Sequence, residues 1–154
     1  MKRNLLKLPG ILSDIDGVVH RGYKVIPGSD RAIKTLLREH RTADGQVARV
    51  PFVLVTNGGG YRETNFAKSL NNMVFGSDAP QPAGQHIFQA NQLVECHTPL
   101  RTLLPAYHDK FVLVAGYKET IEAVHDYGFK KAIHSEELLG LWPELAPLPA
   151  RTIP

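Results

Sequence analysis

The sequence predicts an α/β fold built on a parallel sheet, and two observations support this prediction. Short apolar runs of strand length alternate along the chain with segments whose apolar residues recur at helical spacing. Polar residues and glycines directly follow two of these runs, which is typical of strands that end at the functional edge of a parallel sheet. Because parallel neighbours need a crossover between them, this alternation predicts β-α-β units.

Four apolar runs are predicted as strands, at residues 10–13, 50–55, 93–94 and 111–115. The first two helices are expected to begin at Ser29, as an N-cap, and at Glu63, and to end near residues 41 and 71. A polar connection, residues 40–49, precedes the second strand. Residues 76–92 are rich in Pro, Gly, Gln and Asn without a clear period, so a surface loop is expected there.

Two further helices are expected in the second half of the chain. Thr98 is an N-cap candidate, and the next residue is a proline at the first helical position. The inner face of this third helix is predicted to carry three leucines, Leu100, Leu103 and Leu104. The fourth helix buries Ile121, Val124 and Tyr127 and stops at Gly128, which suits the left-handed residue after a helix.

The composition indicates a soluble globular chain. Of 154 residues, 43% are hydrophobic and 21% charged, which suits a core of ordinary size. The 18 Lys and Arg are scattered, so no nucleic-acid partner is expected. The single cysteine, Cys96, excludes an internal disulfide, indicates a reducing compartment, and is expected to be a small buried residue. No apolar run approaches the roughly 18 residues that span a bilayer, so no transmembrane segment is predicted.

Two carboxylates, Asp14 and Asp16, stand one residue apart directly after the first predicted strand. In an extended chain, residues i and i+2 point to the same side, so both carboxylates can converge on one substrate atom. This arrangement suits phosphoryl transfer, in which Asp14 attacks phosphorus and Asp16 acts as acid and then base. Gly17 comes next and allows a backbone conformation barred to bulkier residues beside the phosphate.

The second predicted strand ends in Thr56, which Asn57 and a run of glycines from Gly58 follow. Thr56 could donate its hydroxyl to a phosphoryl oxygen, and the Asn57 and Gly58 amides could form part of an anion-binding nest. Ligands of open α/β sheets bind at the carboxyl ends of the strands. We therefore expect Asp14 and Thr56 to face one pocket at that edge.

These motifs resemble those of the haloacid dehalogenase superfamily of aspartate-nucleophile phosphohydrolases. The family's first motif is Asp-x-Asp-Gly-Val, here Asp-Ile-Asp-Gly-Val, and its second is an apolar strand ending in Thr or Ser, here Phe-Val-Leu-Val-Thr. Their form is similar to the class IIA branch, and within it to the cat-eye-syndrome-critical-region-type eukaryotic proteins. The resemblance implies a Rossmann-like three-layer parallel sheet, incomplete here, with the start of an α/β cap.

The resemblance also implies site roles and a domain organisation. Asp14 would be the nucleophile and a magnesium ligand, Asp16 the acid and base with its backbone carbonyl on the metal, and Thr56 the phosphate binder. Residues 1–108 would form a partial core with both motifs, and residues 109–154 the beginning of a C2-type cap. Two departures from the family pattern are the longer, more polar segment 73–91 and Cys96, where a serine is usual.

The family's motifs beyond the cap have no match in this sequence. A lysine that steadies the phosphoaspartate and the metal-site pattern Gly-Asp-x-x-x-x-Asp are absent. We therefore expect a truncated amino-terminal part with an incomplete Mg²⁺ site and little or no phosphatase activity alone. The full-length counterpart is expected to hydrolyse a small phosphorylated metabolite. The resemblance implies mitochondrial or cytoplasmic residence rather than secretion.

Two other functions remain as alternatives. The chain could be a non-catalytic remnant or interaction protein that keeps the two motifs without the chemistry, with a link to mitochondrial phospholipid metabolism. The Asp-x-Asp pair could also be the metal-nucleotide motif of a glycosyltransferase. That second alternative is disfavoured because such enzymes need a nucleotide-binding half before the motif, and only thirteen residues precede Asp14.

Overall fold

The structure, a computed structural model, describes residues 9–41, 45–76, 85–117 and 119–145. The basic amino terminus and the proline-rich last residues fall outside this range. Contacts divide the chain into two units. The first contains the residues up to Gly58 and Glu63–Cys96, and the second contains Gly59–Arg62 and the residues from His97 onward. The polypeptide therefore passes from one unit to the other at three points.

Within the described residues, the first unit contains seven strands and two α-helices, with a short 3₁₀ helix at Ala90–Gln92. In chain order they are β1 (Ile11–Ser13), β2 (His20–Arg21), β3 (Lys24–Val25), α1 (Ser29–Leu36), β4 (His40–Arg41), β5 (Val47–Ala48), β6 (Phe52–Val55), α2 (Glu63–Phe75) and β7 (Leu93–Val94). Strands β1, β6 and β7 form a parallel sheet in the order β1-β6-β7, with Ser13 opposite Leu54 and Leu54 opposite Leu93. The remaining strands form two antiparallel hairpins, β2–β3 and β4–β5. The parallel pairing confirms the predicted α/β class.

Apolar side chains from the sheet and its two helices form one core in the first unit. Leu54 of β6 and Leu70 of α2 are fully buried, and Ile15 and Phe88 are nearly so. The Phe88 ring lies 6.0 Å from that of Phe52. Full burial of one such side chain contributes about 1.5–3 kcal/mol, so this core fixes the sheet on which the candidate site stands.

The second unit contains a parallel β-α-β element. In chain order, this unit includes α3 (Leu104–Tyr107), β8 (Phe111–Val114), α4 (Thr120–Asp126), β9 (Lys131–His134) and α5 (Ser135–Leu141). Strands β8 and β9 pair in parallel, with Phe111 opposite Lys131, and α4 is the crossover between them. A small core contains Val114, Ala123, Val124, Tyr127 and Phe129.

Arg62 joins the short segment Gly59–Arg62 to helix α4 within the second unit. Its guanidinium donates two hydrogen bonds to the Asp126 carboxylate, at 2.6 and 3.0 Å, and its backbone amide donates to Glu119 Oε2 at 2.9 Å. The hydrogen bond and charge of Asp126 raise the pKa of Arg62 above its ordinary value. The Arg62 guanidinium therefore keeps its positive charge throughout the physiological pH range.

Helix α1 differs from its prediction at both ends. Gly28, with φ +88°, is the N-cap, and Ser29 is the first helical residue. The Ser29 hydroxyl is directed away from the helix and donates to the carbonyls of Val19 and Ile26, both at 2.8 Å. The helix ends at Leu36 rather than near residue 41, because His40–Arg41 pairs with Val47–Ala48 in a hairpin where a plain connection was expected.

The predicted third helix is mostly a 3₁₀ helix, Thr98–Leu103, which is followed by α3. The prediction that Leu100 and Leu103 face inward is wrong, because they are 38% and 46% exposed. Leu104 does face inward and packs against the core of the second unit. The tighter 3₁₀ winding moves side chains off the face that a 3.6-residue period predicts. Helix α4 matches its prediction, because Gly128 follows it with φ +103°.

Several features were not predicted from the sequence. The hairpin β2–β3, strand β9 and helix α5 were missed, and Cys96 is exposed rather than buried. No helix within the described ranges is long and apolar enough to cross a membrane.

Candidate functional site

The two sequence motifs follow neighbouring strands of the parallel sheet. Strand β1 ends at Ser13, and its partner β6 ends at Val55, with the two strands in parallel register. Asp14 and Thr56 therefore leave the sheet at the same edge. This is the carboxyl edge, where open α/β sheets bind their ligands.

A tight turn after β1 positions the two carboxylates. The carbonyl of the buried Ile15 accepts hydrogen bonds from the amides of Val18 and Val19, at 3.2 and 2.8 Å. Gly17 donates its amide to the His20 carbonyl at 2.7 Å and has φ +82°, a conformation that L side chains rarely adopt. The turn thus depends on glycine at this position, and it reverses the chain within a few residues of the sheet edge.

The Asp14 carboxylate is exposed and contacts its own loop. Its Oδ1 accepts a hydrogen bond from the Ile15 amide at 2.8 Å. Among the described residues, the Asp16 carboxylate rather than that of Asp14 lies within hydrogen-bond distance of Thr56. The expectation that Asp14 and Thr56 jointly contact one substrate oxyanion stays a prediction.

Asp16, Thr56 and Gly58 are brought together by the structure. The Thr56 hydroxyl donates to Asp16 Oδ2 at 3.4 Å and accepts from the Gly58 amide at 3.0 Å. Thr56 is 5% exposed, and its own amide donates to the Val94 carbonyl at 2.9 Å, which fixes its backbone to β7. Asn57 is exposed. The contacts make a small polar cradle at the sheet edge.

The space beside Gly58 is narrow. A Cβ atom built on Gly58 would lie 3.3 Å from Thr56 Oγ1 and 3.7 Å from Asp16 Oδ2. A side chain at this position would crowd the Thr56 hydroxyl, whereas its distance from the Asp16 carboxylate would be an ordinary van der Waals contact. Glycine here avoids the close approach to Thr56.

His20 belongs to this cluster, although the sequence left open whether it faces the mouth of the site or an exposed loop. Its Nδ1 lies 3.6 Å from Asp16 Oδ1, and its side chain is 11% exposed whereas that of Asp16 is 61% exposed. The two residues also form a β-bridge. The only sequence signal was the spacing of four residues between Asp16 and His20, which equally suits an exposed loop.

The donor set of the site tests how well it suits Mg²⁺. Carboxylate and carbonyl oxygens are the ligands that Mg²⁺ prefers, and Asp14 and Asp16 supply them. Mg²⁺ favours six oxygens in near-octahedral geometry, however, and no group of three or more His, Cys, Asp or Glu side chains in the described ranges could coordinate an ion. The described residues therefore do not fit a complete magnesium site by themselves.

A family model of haloacid dehalogenase-like hydrolases matches residues 11–130, which contain both motifs. The chain belongs to this family. Asp14, Asp16 and Thr56 all lie within the matched residues of this haloacid dehalogenase-like hydrolase. Its narrower placement in the class IIA branch, beside the cat-eye-syndrome-critical-region-type proteins, stays a prediction.

Among curated proteins, this haloacid dehalogenase-like chain is similar to a mitochondrial hydrolase of Saccharomyces cerevisiae, with 28% identity over 134 residues. It is also similar to a cardiolipin synthase (CMP-forming)/mitochondrial hydrolase fusion protein of Schizosaccharomyces pombe, with 29% identity over 136 residues. The matches cover 87% and 84% of this chain but 32% and 19% of those relatives. The chain thus spans about a third or less of each.

The fold is also seen in a crystal structure. A hypothetical protein from Pyrococcus horikoshii OT3 matches with a TM-score of 0.56 and 20% sequence identity. The match covers 88% of this chain and 44% of that chain. At this identity, the likeness supports the shared fold.

Proposed function

We propose that this chain supplies the nucleophile-bearing part of a magnesium-dependent phosphatase that acts on a small phosphorylated metabolite through an aspartyl-phosphate. The observation that supports it best is the 3.4 Å contact of Asp16 Oδ2, two residues along the chain from Asp14, with Thr56 Oγ1 at the carboxyl edge of paired parallel strands. Two carboxylates and a hydroxyl at this edge form the chemical set that phosphoryl transfer requires.

In the first step of the proposed reaction, a carboxylate oxygen of Asp14 attacks phosphorus. The bond between phosphorus and the ester oxygen breaks, and a proton from the Asp16 carboxyl moves to the departing oxygen. The alcohol leaves, and an acyl phosphate remains on Asp14. The exposure of the Asp14 side chain suits this role, because the phosphoryl group must reach it from solvent.

In the second step, a water molecule attacks the phosphorus of the acyl phosphate. Asp16, now a carboxylate, accepts a proton from that water, and the bond between phosphorus and the Asp14 oxygen breaks. Phosphate is released with both side chains restored. Bound Mg²⁺ would neutralise part of the negative charge of the carboxylates and the phosphoryl oxygens.

The remaining residues of the site would bind the phosphoryl oxygens. The Thr56 hydroxyl, which contacts Asp16 here, would turn its hydrogen toward a phosphoryl oxygen when substrate enters. The amides of Asn57 and Gly58 would add donors, and Gly17 and Gly58 would leave room for the oxyanion. Position 58 tolerates no side chain without crowding Thr56.

The domain organisation and the location of the protein are part of the same proposal. The first unit would be a partial catalytic core, and residues 109–154 would begin a cap that selects the substrate. Because both matching relatives are several times longer than the matched region, the whole activity would need further polypeptide, and the 154-residue chain alone would be inactive. The names of both relatives support a mitochondrial location.

A second candidate is a non-catalytic member of the family that interacts with other proteins. It is favoured by the S. pombe relative, whose name joins a hydrolase to a cardiolipin synthase. That name supports a link to mitochondrial phospholipid metabolism. If this second candidate is right, the chain keeps both motifs but hydrolyses no phosphate ester.

The decisive experiment traps the covalent intermediate. The 154-residue chain and a longer polypeptide read from the same frame are incubated with Mg²⁺ and para-nitrophenyl phosphate, then reduced with borohydride, which converts an aspartyl-phosphate to homoserine. Mass spectrometry should find homoserine at position 14 in the longer polypeptide, together with release of nitrophenol. Asp14→Asn should abolish both, whereas Asp30→Asn, a matched change on helix α1, should abolish neither.

Three outcomes would contradict parts of the proposal. Homoserine at another position, or turnover that survives Asp14→Asn, would remove Asp14 as nucleophile. Robust Mg²⁺-dependent hydrolysis by the 154-residue chain would contradict its expected inactivity. Absence of turnover in the longer polypeptide would favour the non-catalytic candidate.

A further inference from the structure

One cavity of the first unit lies away from the two motifs. Its volume is about 560 Å³, and its walls come from the end of α1, from the residues that lead into β6 and from residues 86–92. Val50 and Pro51 precede β6, so the cavity stands at the amino edge of the sheet, whereas Asp14 and Thr56 follow its carboxyl edge. We call it the amino-edge pocket.

The walls of the amino-edge pocket are fixed by hydrogen bonds within the first unit. The His86 amide donates to the Leu37 carbonyl at 3.4 Å, and the Gln92 side chain donates to the Phe52 carbonyl at 2.9 Å. Arg38 Nε donates to Gln85 Oε1 at 3.2 Å beside the first of these contacts. Ligand sites are usually formed before the ligand arrives, and their volumes are about 300–1,000 Å³.

The pocket combines an apolar floor with one cationic side chain. Leu37 and Phe52 are 5% and 4% exposed and form part of the floor, together with Leu36. Arg49 and His86 line it as well, and no carboxylate is among the described residues that do. A few polar groups on an apolar wall are what orient small ligands.

Arg49 brings the positive charge of a guanidinium to the pocket. Its Nη1 lies 3.3 Å from His86 Nδ1, and His86 Nε2 lies 3.3 Å from Glu39 Oε1. Glu39 contacts the His86 ring but is not among the described residues that line the pocket.

We propose that the amino-edge pocket binds a small organic monocarboxylate with an apolar body. The carboxylate would pair with the Arg49 guanidinium, whose planar fork matches two carboxylate oxygens, and the apolar body would lie on Leu36, Leu37 and Phe52. A single guanidinium balances a single negative charge, which favours a carboxylate over a phosphate dianion. This site is independent of the proposed phosphatase chemistry.

The test follows backbone amide signals of the full ¹⁵N-labelled chain by NMR. The probes are 3-phenylpropionate and its uncharged analogue, 3-phenylpropionamide. The carboxylate should shift the amide signals of Phe52 and Ile87 and bind about tenfold more tightly than the amide. Equal binding of the two probes, or no shift at these residues, would overturn the proposal.

Matched variants assign the binding to Arg49. Arg49→Gln should weaken 3-phenylpropionate about tenfold, and Arg49→Lys should restore part of the affinity. Arg31→Gln removes the same charge from an exposed residue of helix α1 that does not line the pocket, and it should leave the affinity unchanged. An equal loss in Arg31→Gln would indicate general surface charge and overturn the assignment.

Asp14→Asn separates this site from the phosphoryl site. The variant should bind 3-phenylpropionate as the natural chain does. Loss of binding in Asp14→Asn, or shifts confined to residues 14–17, would place the probe at the other edge of the sheet and overturn the proposal. None of these outcomes bears on whether Asp14 forms an aspartyl-phosphate.

Discussion

The Thr56 hydroxyl has two hydrogen-bonding roles at once, and both are fixed by burial. It accepts from the Gly58 amide and donates to the Asp16 carboxylate, so its hydrogen has one direction in this structure. With 5% of the residue exposed, water has little access to replace either partner. Removing the hydroxyl would therefore leave the partly buried Gly58 amide without this acceptor.

We expect Thr56→Val, which keeps the shape and removes the hydroxyl, to lower the free energy of unfolding by about 1–2 kcal/mol. Urea denaturation of the full chain measures the change. Thr56→Ser keeps the hydroxyl and should lose less, since only a methyl group is removed. If the valine variant were as stable as the natural chain, the hydrogen bonds of Thr56 would contribute nothing net.

The individual site residues show which features the sequence could predict. The spacing of Asp14 and Asp16 after an apolar run, and the polar residue that ends β6, are local patterns, and the structure places both at one sheet edge. Which carboxylate meets Thr56 is not local. It depends on the turn at Gly17, whose φ of +82° redirects the chain after Asp16. The burial of His20 depends on the same turn.

At the scale of elements, two glycines of the second unit have opposite backbone requirements. Gly128 follows α4 with φ +103°, and a Cβ there would lie 3.2 Å from Leu104 Cδ2. Gly140 lies within α5 in a helical conformation, and a Cβ there would meet no atom within 4 Å. Position 128 requires glycine because of its positive φ. At position 140, glycine makes helix α5 less stable than alanine would.

The two Gly→Ala substitutions should therefore change stability in opposite directions. Gly128→Ala should lower the free energy of unfolding by about 1–2 kcal/mol, because an L residue is strained in the left-handed region. Gly140→Ala should raise it by about 0.5–1 kcal/mol, because alanine is the better helix former. Urea denaturation of both variants tests this pair, and a change of the same sign in both would contradict it.

The elements that the sequence predicted well were those with enough length to show a period. Strands β6 and β8 and helix α4 lie within the predicted runs. The hairpins β2–β3 and β4–β5 were missed because each strand has two residues, too few for an alternation to appear. Strand β9, Lys131–His134, begins with a lysine and ends with a histidine, so its composition did not suggest a strand.

At the scale of the whole molecule, the completeness of the cation site decides whether Mg²⁺ stabilises the fold. A site that binds with a dissociation constant one-hundredth of the free Mg²⁺ concentration would add about 2.7 kcal/mol to the free energy of unfolding. Such a gain would raise the melting temperature by several degrees in a chain of this size. The described residues provide no group of three metal-binding side chains from which such affinity would be expected.

We therefore expect about 5 mM MgCl₂ to shift the thermal unfolding midpoint of this chain by less than about 1 °C. A NaCl solution of equal ionic strength is the control for charge screening. A rise of several degrees that disappears in Asp14→Asn would show a strong cation site at the acidic pair. Differential scanning fluorimetry is sufficient to distinguish the two results.

The route of the backbone between the two units limits how this protein can be dissected. The tetrapeptide Gly59–Arg62 belongs with the residues after His97, although the chain on both sides of it belongs elsewhere. A gene fragment that begins at His97 would lack the Arg62 guanidinium that pairs with Asp126 and the Gly60 carbonyl that accepts from the Glu119 amide. A single cut in the gene therefore cannot separate the two units. A chimera that exchanges the second unit must also exchange the segment Gly59–Arg62.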